Sequence, residues 1–268
     1  MKQRPETVWA REAAVSAHHQ GADQLDQAYQ TQAAQGAALA FRYGRAQIEV
    51  HFDGQVGALP LSAKILDVGC GPGRQMSRLR SKGFEVFGVE PAENMRKIAR
   101  SRLPAGTVRD GSALDLPFEN ETFDFVYEIE VFRYLAHEDN LRGLREVFRV
   151  LKPGGTFFGT FANLFAMDGF QVLEGLRSLW EKWAHQARRW HTEFETPKSV
   201  ERMLHCAGFS LVETHGAMLA SLRIAYKLGP IGMYLARALE PADPVLSDAP
   251  LLRCFAGHLI GIAHKAHK

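Results

Sequence analysis

The sequence predicts a doubly wound α/β fold, in which helices cover both faces of a mainly parallel sheet. Residues 64–74 read K-I-L-D-V-G-C-G-P-G-R, so a short apolar strand pattern leads into a glycine-dense turn and then into a helical pattern over 75–81. Alternating, β-branched segments recur at 84–91 and 123–129, and a helical pattern follows each of them. Strands that alternate with helices in this way are typical of parallel sheets.

By composition the chain fits one large domain that can bury a full core, since it has 268 residues of which 46% are hydrophobic. The formal net charge is +2 and the acids and bases are interspersed, so no basic surface for nucleic acid or an anionic membrane is predicted. The three cysteines are far apart and form no C-x-x-C pair, which predicts neither a disulfide framework nor a thiolate metal site. No metal is expected.

The first residues, M-K-Q-R-P-E-T-V-W, lack an apolar leader, and no apolar run approaches the ~18 residues that span a bilayer. We therefore expect a cytoplasmic protein with no transmembrane segment. Its partner is expected to be a small-molecule substrate and not a nucleic acid. The oligomeric state is left open by the sequence.

The first 60 residues differ in composition from the rest of the chain. Residues 6–47 are rich in Ala and Gln and have only sparse apolar anchors, which predicts two or three weakly amphipathic helices. We expect this N-terminal arm, residues 1–60, to pack over a main domain formed by residues 61–268.

Three glycines after the first predicted strand, Gly69, Gly71 and Gly73, indicate that the backbone approaches a ligand closely there. The helix that follows directs its first N–H groups and its positive dipole end at the turn, which predicts a nucleotide-type site. A dinucleotide-binding G-x-G-x-x-G pattern needs a third glycine where Arg74 stands, so an oxidoreductase is disfavoured. The phosphate-binding G-x-x-x-x-G-K-[ST] pattern is absent.

Residues 66–73, L-D-V-G-C-G-P-G, resemble the first motif of the class I S-adenosylmethionine-dependent methyltransferases, including an aspartate inside the strand. A chance glycine turn would leave that aspartate unexplained. The resemblance implies a Rossmann-like seven-stranded sheet and S-adenosylmethionine as cofactor, with S-adenosylhomocysteine as product. It also implies that one group of residues binds the methionine end of the cofactor: Asp67, Gly69, Cys70, Gly71 and Gly73.

The second predicted strand, F-E-V-F-G-V-E-P over 84–91, ends in an acid. Glu90 follows the glycine loop by about twenty residues, where a neighbouring parallel strand would bring its carboxylate to the two ribose hydroxyls. A surface acid at a helix start is the alternative. In the resembled family, the residue at the position of Met95 packs on the adenine ring.

Residues 107–118, T-V-R-D-G-S-A-L-D-L-P-F, resemble the family's third-strand motif G-D-A-x-x-L-P-F. Alignment of the L-P-F ends places Ser112 where an acid usually receives the adenine amino group, with Ala113 beside it. A serine can still accept one hydrogen bond but carries no charge. Asp110 is an alternative acceptor, although strand alternation aims it at the opposite face.

Two carboxylates, Glu128 and Glu130, follow the fourth predicted strand at the sheet edge where open α/β sheets bind ligands. They are candidates to stabilise the sulfonium, to bind a substrate cation or to act as bases. We expect them to be exposed to the crevice, because an unpaired buried carboxylate is costly. Tyr134 stands where the family often has a histidine, and packing or substrate stacking explains it as well as chemistry does.

Three segments outside these motifs are candidates to cover the site. In the resembled family an N-terminal arm often closes over the cofactor, which makes residues 41–43 (Phe41, Arg42 and Tyr43) lid candidates, with ordinary packing as the alternative. A helical insertion is predicted at about 164–191, with an inward apolar stripe that serves packing or lines a substrate pocket, and with His191 at its end as a candidate base. A second is predicted at about 217–240, broken at Gly229.

Near the end of the chain, Thr196 is predicted to cap a helix that starts at Pro197, and strands are predicted at 210–214 and 255–263. The sequence thus predicts an enzyme that transfers a methyl group to a small, apolar or aromatic acceptor at O, N or C. The alternative is a non-catalytic S-adenosylmethionine-binding protein with a regulatory or chaperone-like role. Four residues are the acceptor-side candidates: Glu128, Glu130, Tyr134 and His191.

Overall fold

The computed structural model describes residues 5–21, 37–166, 176, 180, 183, 192–219, 222, 225–226 and 228–267. Its centre is a sheet whose main path has the strand order β3-β2-β1-β4-β5-β8-β7. The first five strands of this path are parallel, and β8 runs antiparallel to both β5 and β7. The strands are β1 Lys64–Val68, β2 Glu85–Val89, β3 Val108–Arg109, β4 Phe123–Tyr127, β5 Leu151–Asn163, β6 Phe194–Glu195, β7 Leu211–Leu219 and β8 Ala256–His264.

This order confirms the predicted doubly wound α/β fold with seven strands along its main path. The two-residue β6 is an addition that pairs with the end of β5. The described helices are α1 Pro5–Gln20, α2 Ala37–Gly57, α3 Arg74–Ser81, α4 Glu93–Arg102, α5 His137–Val150, α6 Pro197–Ala207, α7 Gly229–Leu239 and α8 Asp243–Asp248.

Both faces of the sheet are buried, each against different helices. On one face, α2 packs through Phe52, which is fully buried and makes edge-on contacts with the rings of Tyr127 and Phe158, at centroid distances of 4.8 and 5.4 Å. On the other face, α5 and α6 pack through residues such as Val147 and Leu204. The N-terminal α2 is therefore part of the main core, and it buries several of its few apolar residues against the sheet.

The end of β7 differs from the prediction. The ladder between β7 and β8 continues to the pair Leu219 and Ala256, so residues 217–219, which were expected to begin the second insertion, belong to the strand. The reason is tertiary, because β8 extends far enough to pair with them. The predicted break at Gly229 is the first residue of α7.

The predicted helix start at Thr196 is confirmed. Thr196 Oγ1 accepts a hydrogen bond from the backbone N–H of Ser199 at 3.1 Å, and the Ser199 hydroxyl oxygen in turn accepts one from the Thr196 N–H at 2.7 Å. This reciprocal pair satisfies two N–H groups at the helix start. Pro197 occupies the first helical position, where its missing N–H costs nothing.

Of the first predicted insertion, residues 164–166 and three later positions of its apolar pattern, Leu176, Trp180 and Trp183, are described. Their exposed fractions are 59%, 54% and 81%, so the expected inward orientation of the apolar stripe is wrong for these three residues. His191 lies outside the described residues. In the described part of the chain, no helix is long and apolar enough to cross a membrane.

Candidate functional site

The glycine loop follows β1 in a conformation that requires glycine. Gly69, Gly71 and Gly73 have φ angles of 75°, 52° and 75°, in the left-handed region. The N–H groups of Gly69 and Cys70 donate to the carbonyl oxygen of Val89, at 2.9 and 3.0 Å, which holds the loop against the end of β2. A Cβ atom at Gly71 would meet no atom within 4 Å, so this residue borders open space.

Glu90 lies beside this loop at the end of β2 and is buried. One carboxylate oxygen accepts a hydrogen bond from the Gly71 N–H at 2.9 Å, and the other accepts one from the Ala92 N–H at 2.8 Å. Burial raises the pKa of Glu90 above its usual value, although the two N–H groups act in the opposite direction. The side chain therefore joins the glycine loop to the start of α4.

Asp67, the aspartate of the first motif, faces the same loop from β1. It is 4% exposed, and Tyr127 Oη of β4 donates a hydrogen bond to its Oδ2 at 2.7 Å. Burial raises the pKa of Asp67 to about 7, while the Tyr127 hydrogen bond and the charge of Arg45 act against this rise. A buried carboxylate with such a pKa favours a cationic ligand beside it.

Asp67 and the glycine loop line a pocket of about 100 Å³ at the carboxyl ends of β1 and β4, and Glu90 lies outside its lining. This volume is below the ~300–1,000 Å³ that is usual for ligand pockets. Burial raises the pKa of the Cys70 thiol in its wall well above the usual value. The lining residues are Arg45, Asp67, Gly69, Cys70, Gly71, Pro72, Arg74, Gln75, Tyr127 and Ile129.

Arg45 of α2 is a pocket residue that the sequence analysis missed. The only sequence signal was its place three residues after Arg42, within one turn of the proposed lid residues. Those residues lie elsewhere: the Phe41 side chain is 49% exposed, and Tyr43 Oη donates to the carbonyl oxygen of Glu240 at 3.1 Å, just beyond α7. The arm thus reaches the pocket through Arg45.

The other N-terminal helix, α1, lies over the start of α4. Asn94 Nδ2 donates to the carbonyl oxygen of His19 at 3.0 Å, and Val15 packs against Met95, which is buried. The His18 ring makes an edge contact with Tyr134 at a centroid distance of 5.2 Å. Tyr134 therefore contacts the N-terminal arm in this arrangement.

At the third strand, Ser112 is half-buried and its Oγ accepts a hydrogen bond from the Leu114 N–H at 3.3 Å. Ala113 beside it is buried. The Asp110 carboxylate forms an ion pair with Arg96 at 3.0 Å, and its side chain is 72% exposed. Which of the two residues would accept a hydrogen bond from an adenine amino group stays a prediction.

Glu128 is a correction to the sequence analysis. It was expected to be exposed to the crevice, but it is fully buried. Its Oε2 accepts a hydrogen bond from the Val131 N–H at 2.8 Å, and its Oε1 accepts one from the Thr160 N–H. Burial raises its pKa to about 8. The side chain thus holds the turn after β4 against β5, and backbone N–H groups supply the partners that the sequence could not reveal.

Glu130 lies in the turn after β4 and takes part in a cluster that we call the Glu130 cluster, formed by Glu130, Arg133 and His258. Glu130 Oε2 accepts a hydrogen bond from Arg133, and Glu130 Oε1 lies 3.1 Å from His258 Nδ1. Burial opposes ionisation, but the charges of Arg133 and His258 outweigh it and hold the pKa of Glu130 well below its usual value. Glu130 is therefore ionised and already balanced by its neighbours.

Near this cluster, a second group joins α5, β6 and α6. His137 begins α5, and its Nδ1 lies 2.8 Å from Glu195 Oε1. The Ser199 hydroxyl donates to the other Glu195 oxygen. Ligand-type atoms of His137, Glu193 and Glu195 all lie within 4.8 Å of one another. The contacts of Glu195 hold β6 to both helices.

Comparison with known proteins decides the family. A family model described as a methyltransferase domain matches residues 66–159. A demethylmenaquinone methyltransferase of Symbiobacterium thermophilum is 31% identical over 193 residues of alignment, which cover 62% of this chain and 74% of that protein. The chain belongs to the class I S-adenosylmethionine-dependent methyltransferases. The resemblance drawn from the first motif is thereby confirmed.

Two further relatives show how far the likeness of this methyltransferase extends. An uncharacterized methyltransferase of Oceanobacillus iheyensis is 32% identical over 92 residues, which cover 34% of this chain, and the chain spans only 43% of that relative's length. The solved structure of magnesium protoporphyrin IX methyltransferase from Synechocystis, with S-adenosylhomocysteine bound, has a TM-score of 0.63 at 16% identity and covers 92% of this chain and 94% of that one. That likeness concerns the fold. Family membership implies S-adenosylmethionine as the cofactor.

Proposed function

We propose that this methyltransferase-family chain transfers the methyl group of S-adenosylmethionine to a small apolar or aromatic molecule. The observation that supports this best is the pocket at the carboxyl ends of β1 and β4, which Asp67 and the glycine loop line and beside which Glu90 is bonded to the loop. In open α/β sheets, ligands bind at that edge. The fold and the family membership both agree with this proposal.

The residues around the pocket fit the two ends of this cofactor. Gly71 borders open space, so the loop backbone can approach a ligand closely. In the proposed arrangement Asp67 faces the ammonium group of the methionine end and Arg45 its carboxylate, since opposite charges favour each other in a buried site. The remaining walls of the methionine end are Gly69, Cys70, Gly71 and Gly73.

For the nucleoside end, we propose that Glu90 accepts hydrogen bonds from the ribose hydroxyls. Each of its oxygens already accepts one N–H bond, and a carboxylate oxygen has a second lone pair to offer. Ser112, with Ala113 beside it, is proposed to accept from the adenine amino group, and Met95 to pack near the ring. Since α1 covers this region, we expect it to move when the cofactor binds.

The cofactor supplies an activated methyl group on a sulfonium. The chain's own contribution is to align the acceptor, to exclude water and, where the acceptor holds a proton at neutral pH, to remove that proton. Glu128 is too well buried to contact an acceptor, and we propose that it positions the turn that holds Glu130. Glu130 and Tyr134 remain the acceptor-side candidates within the described residues.

Calorimetric titration of S-adenosylmethionine and S-adenosylhomocysteine tests this proposal, with NADH as a negative control. We expect micromolar binding of both sulfur ligands, about −8 kcal/mol, and at least tenfold weaker binding by Glu90→Ala. Glu93→Ala is a matched control, because Glu93 lies three residues away, is exposed and pairs only with Lys97 among its described charged neighbours, at 2.7 Å. No binding of either sulfur ligand, or equal effects of the two variants, would contradict the proposal.

A further inference from the structure

The Glu130 cluster continues the row of polar groups that begins at the cofactor pocket. Along the sheet, β1, β4, β5 and β8 are neighbours in that order. Asp67 and Tyr127 lie on the first two strands, whereas Thr160 and His258 lie on the next two. Neighbouring strands are ~4.8 Å apart, so His258 lies about 10 Å across the sheet from β4.

His258 faces the same side of the sheet as the pocket. Ile260 and Ile262, which alternate with it along β8, pack in one cluster with Tyr127 and with residues of α2. Side chains two apart on a strand share a face. On this face, α2 passes directly over His258: a Cβ atom added at Gly44 would lie 3.7 Å from His258 Nε2.

The helix α2 therefore forms one wall over both places. Gly44 faces His258, and the next residue, Arg45, lines the cofactor pocket. Glu130 lies next to both places. It immediately follows the pocket residue Ile129, and its N–H donates to Thr160 Oγ1 at 2.7 Å. The cofactor pocket and the Glu130 cluster are thus adjoining parts of one site.

Backbone strain marks the same place. Only three non-glycine residues of the described chain have positive φ angles, and two of them, Glu130 at 66° and Met218 at 60°, adjoin His258. Met218 follows Ala217, the β7 partner of His258, and its side chain would lie 3.3 Å from a Cβ atom at Gly44. Strained conformations of this kind persist where the surroundings hold them, and they concentrate at functional sites.

We propose, on the basis of the proposed function, that His258, oriented by Glu130, removes the proton from the hydroxyl of a phenol or enol acceptor. Nδ1 faces the Glu130 carboxylate, and Nε2 lies on the α2 side beside Gly44, where the acceptor hydroxyl would approach in the proposed arrangement. A carboxylate behind an imidazole fixes its orientation and stabilises the imidazolium that forms. Arg133 keeps that carboxylate ionised.

The step balances in protons and electrons. The Nε2 lone pair takes the hydroxyl proton, and the acceptor oxygen forms a bond to the methyl carbon of S-adenosylmethionine. The carbon–sulfur bond breaks with its electron pair remaining on sulfur, which gives S-adenosylhomocysteine. The proton then leaves the imidazolium for solvent.

The charges in the cluster favour an acidic hydroxyl over a cationic amine. A substrate cation would need an unbalanced carboxylate, but Glu130 already pairs with the guanidinium of Arg133, and the neutral His258 that acts as the base lies against its other oxygen. Arg45 adds a further positive charge on the α2 side. A phenol or enol oxygen, which becomes negative as its proton leaves, matches these surroundings.

The test uses 4-nitrophenol as a probe, because its phenolate absorbs visible light and its neutral form does not. The probe is titrated into the protein saturated with S-adenosylhomocysteine, at a pH where the free probe is mainly neutral. We expect the wild type to bind it as the phenolate. His258→Asn, which keeps a donor toward Glu130 but removes Nε2, should bind it at least tenfold more weakly and without the phenolate absorbance. Glu130→Gln should also reduce the phenolate fraction.

The matched control is His264→Asn, at the other end of β8 on the same face, where His264 Nδ1 lies 2.9 Å from Thr156 Oγ1. It should bind the probe as the wild type does. Circular dichroism and calorimetry of S-adenosylhomocysteine show that each variant is folded and binds the cofactor product. If the product binds but the probe does not, or if His258→Asn and Glu130→Gln ionise it like the wild type, the cluster is structural and the inference is wrong. If the product itself fails to bind, the proposed function fails first.

Discussion

The buried aspartate of the first motif should lower the stability of the ligand-free protein at neutral and alkaline pH. In the unfolded chain an aspartate ionises near 3.8, whereas burial raises the pKa of Asp67 to about 7 in the folded state. Between these two values the folded state holds one more proton than the unfolded state. Stability therefore falls as the pH rises through this window, and the full cost is present above it.

The magnitude follows from the same values. A rise in pKa from 3.8 to about 7 corresponds to about 4 kcal/mol of lost stability at alkaline pH. Asp67→Asn removes this cost, and its carbonyl oxygen can still accept the Tyr127 hydrogen bond. The amide loses the attraction of Arg45, so we expect a net gain of about 1–3 kcal/mol near pH 8 that shrinks toward pH 4.

Urea unfolding of the ligand-free protein at both pH values measures this effect. Tyr127→Phe is the matched comparison, because it removes the donor to Asp67 and should destabilise the protein more near pH 8 than near pH 4. Calorimetry should show that Asp67→Asn, although more stable, binds S-adenosylmethionine more weakly. The reasoning is refuted if Asp67→Asn is less stable than the wild type near pH 8, or if the difference does not depend on pH.

Three further predictions concern the loop and the turn that shape the site. Near pH 5, where the raised pKa keeps Glu128 protonated in the folded state, Glu128→Gln should lower the free energy of unfolding by about 1–3 kcal/mol, because its amide N–H₂ would face one of the N–H groups that now donate to Glu128. The loss should shrink or reverse near pH 8, where only the wild type bears the cost of a buried carboxyl that ionises; an unchanged urea midpoint near pH 5 would contradict this. Gly69→Ala should destabilise the protein, since the new Cβ would lie 2.4 Å from Val131 Cγ2, and Val131→Ala should partly restore stability. Gly71→Ala should cost only about 1–2 kcal/mol of stability through backbone strain, but it should weaken S-adenosylmethionine binding more than tenfold. Wild-type affinity in calorimetry would contradict the proposal that the cofactor lies against the backbone at Gly71.

Local sequence patterns were sufficient to predict the parts of the site whose residues lie close together in the sequence. The glycine loop needs residues of one kind in consecutive positions, and its three positive φ angles agree with the choice of glycine there. Glu90 was placed beside it because neighbouring parallel strands end at the same edge, and its bond to the Gly71 N–H shows that proximity. Its role toward a ribose stays a prediction.

Contacts between distant segments were beyond such patterns. Glu128 can be buried because one N–H group after β4 and one on β5 donate to its carboxylate, and no spacing in the sequence predicts these partners. Arg45 and His258 are more than two hundred residues apart in the sequence. Only the packing of α2 over β8 places Gly44, the residue before Arg45, beside His258. Neither residue stands in a motif.

The sequence by itself determined the strand and helix order, the glycine loop and the family, because these depend on periodicity and on conformations that few residues adopt. The tertiary structure decided which carboxylates are buried, which helix covers the pocket and which residues adjoin Glu130. The physical reason is that burial, hydrogen-bond partners and pKa are properties of a residue's three-dimensional surroundings. Those surroundings at Glu130 are assembled from the turn after β4, from Thr160 of β5 and from His258 of β8, three segments that meet only when the sheet is complete.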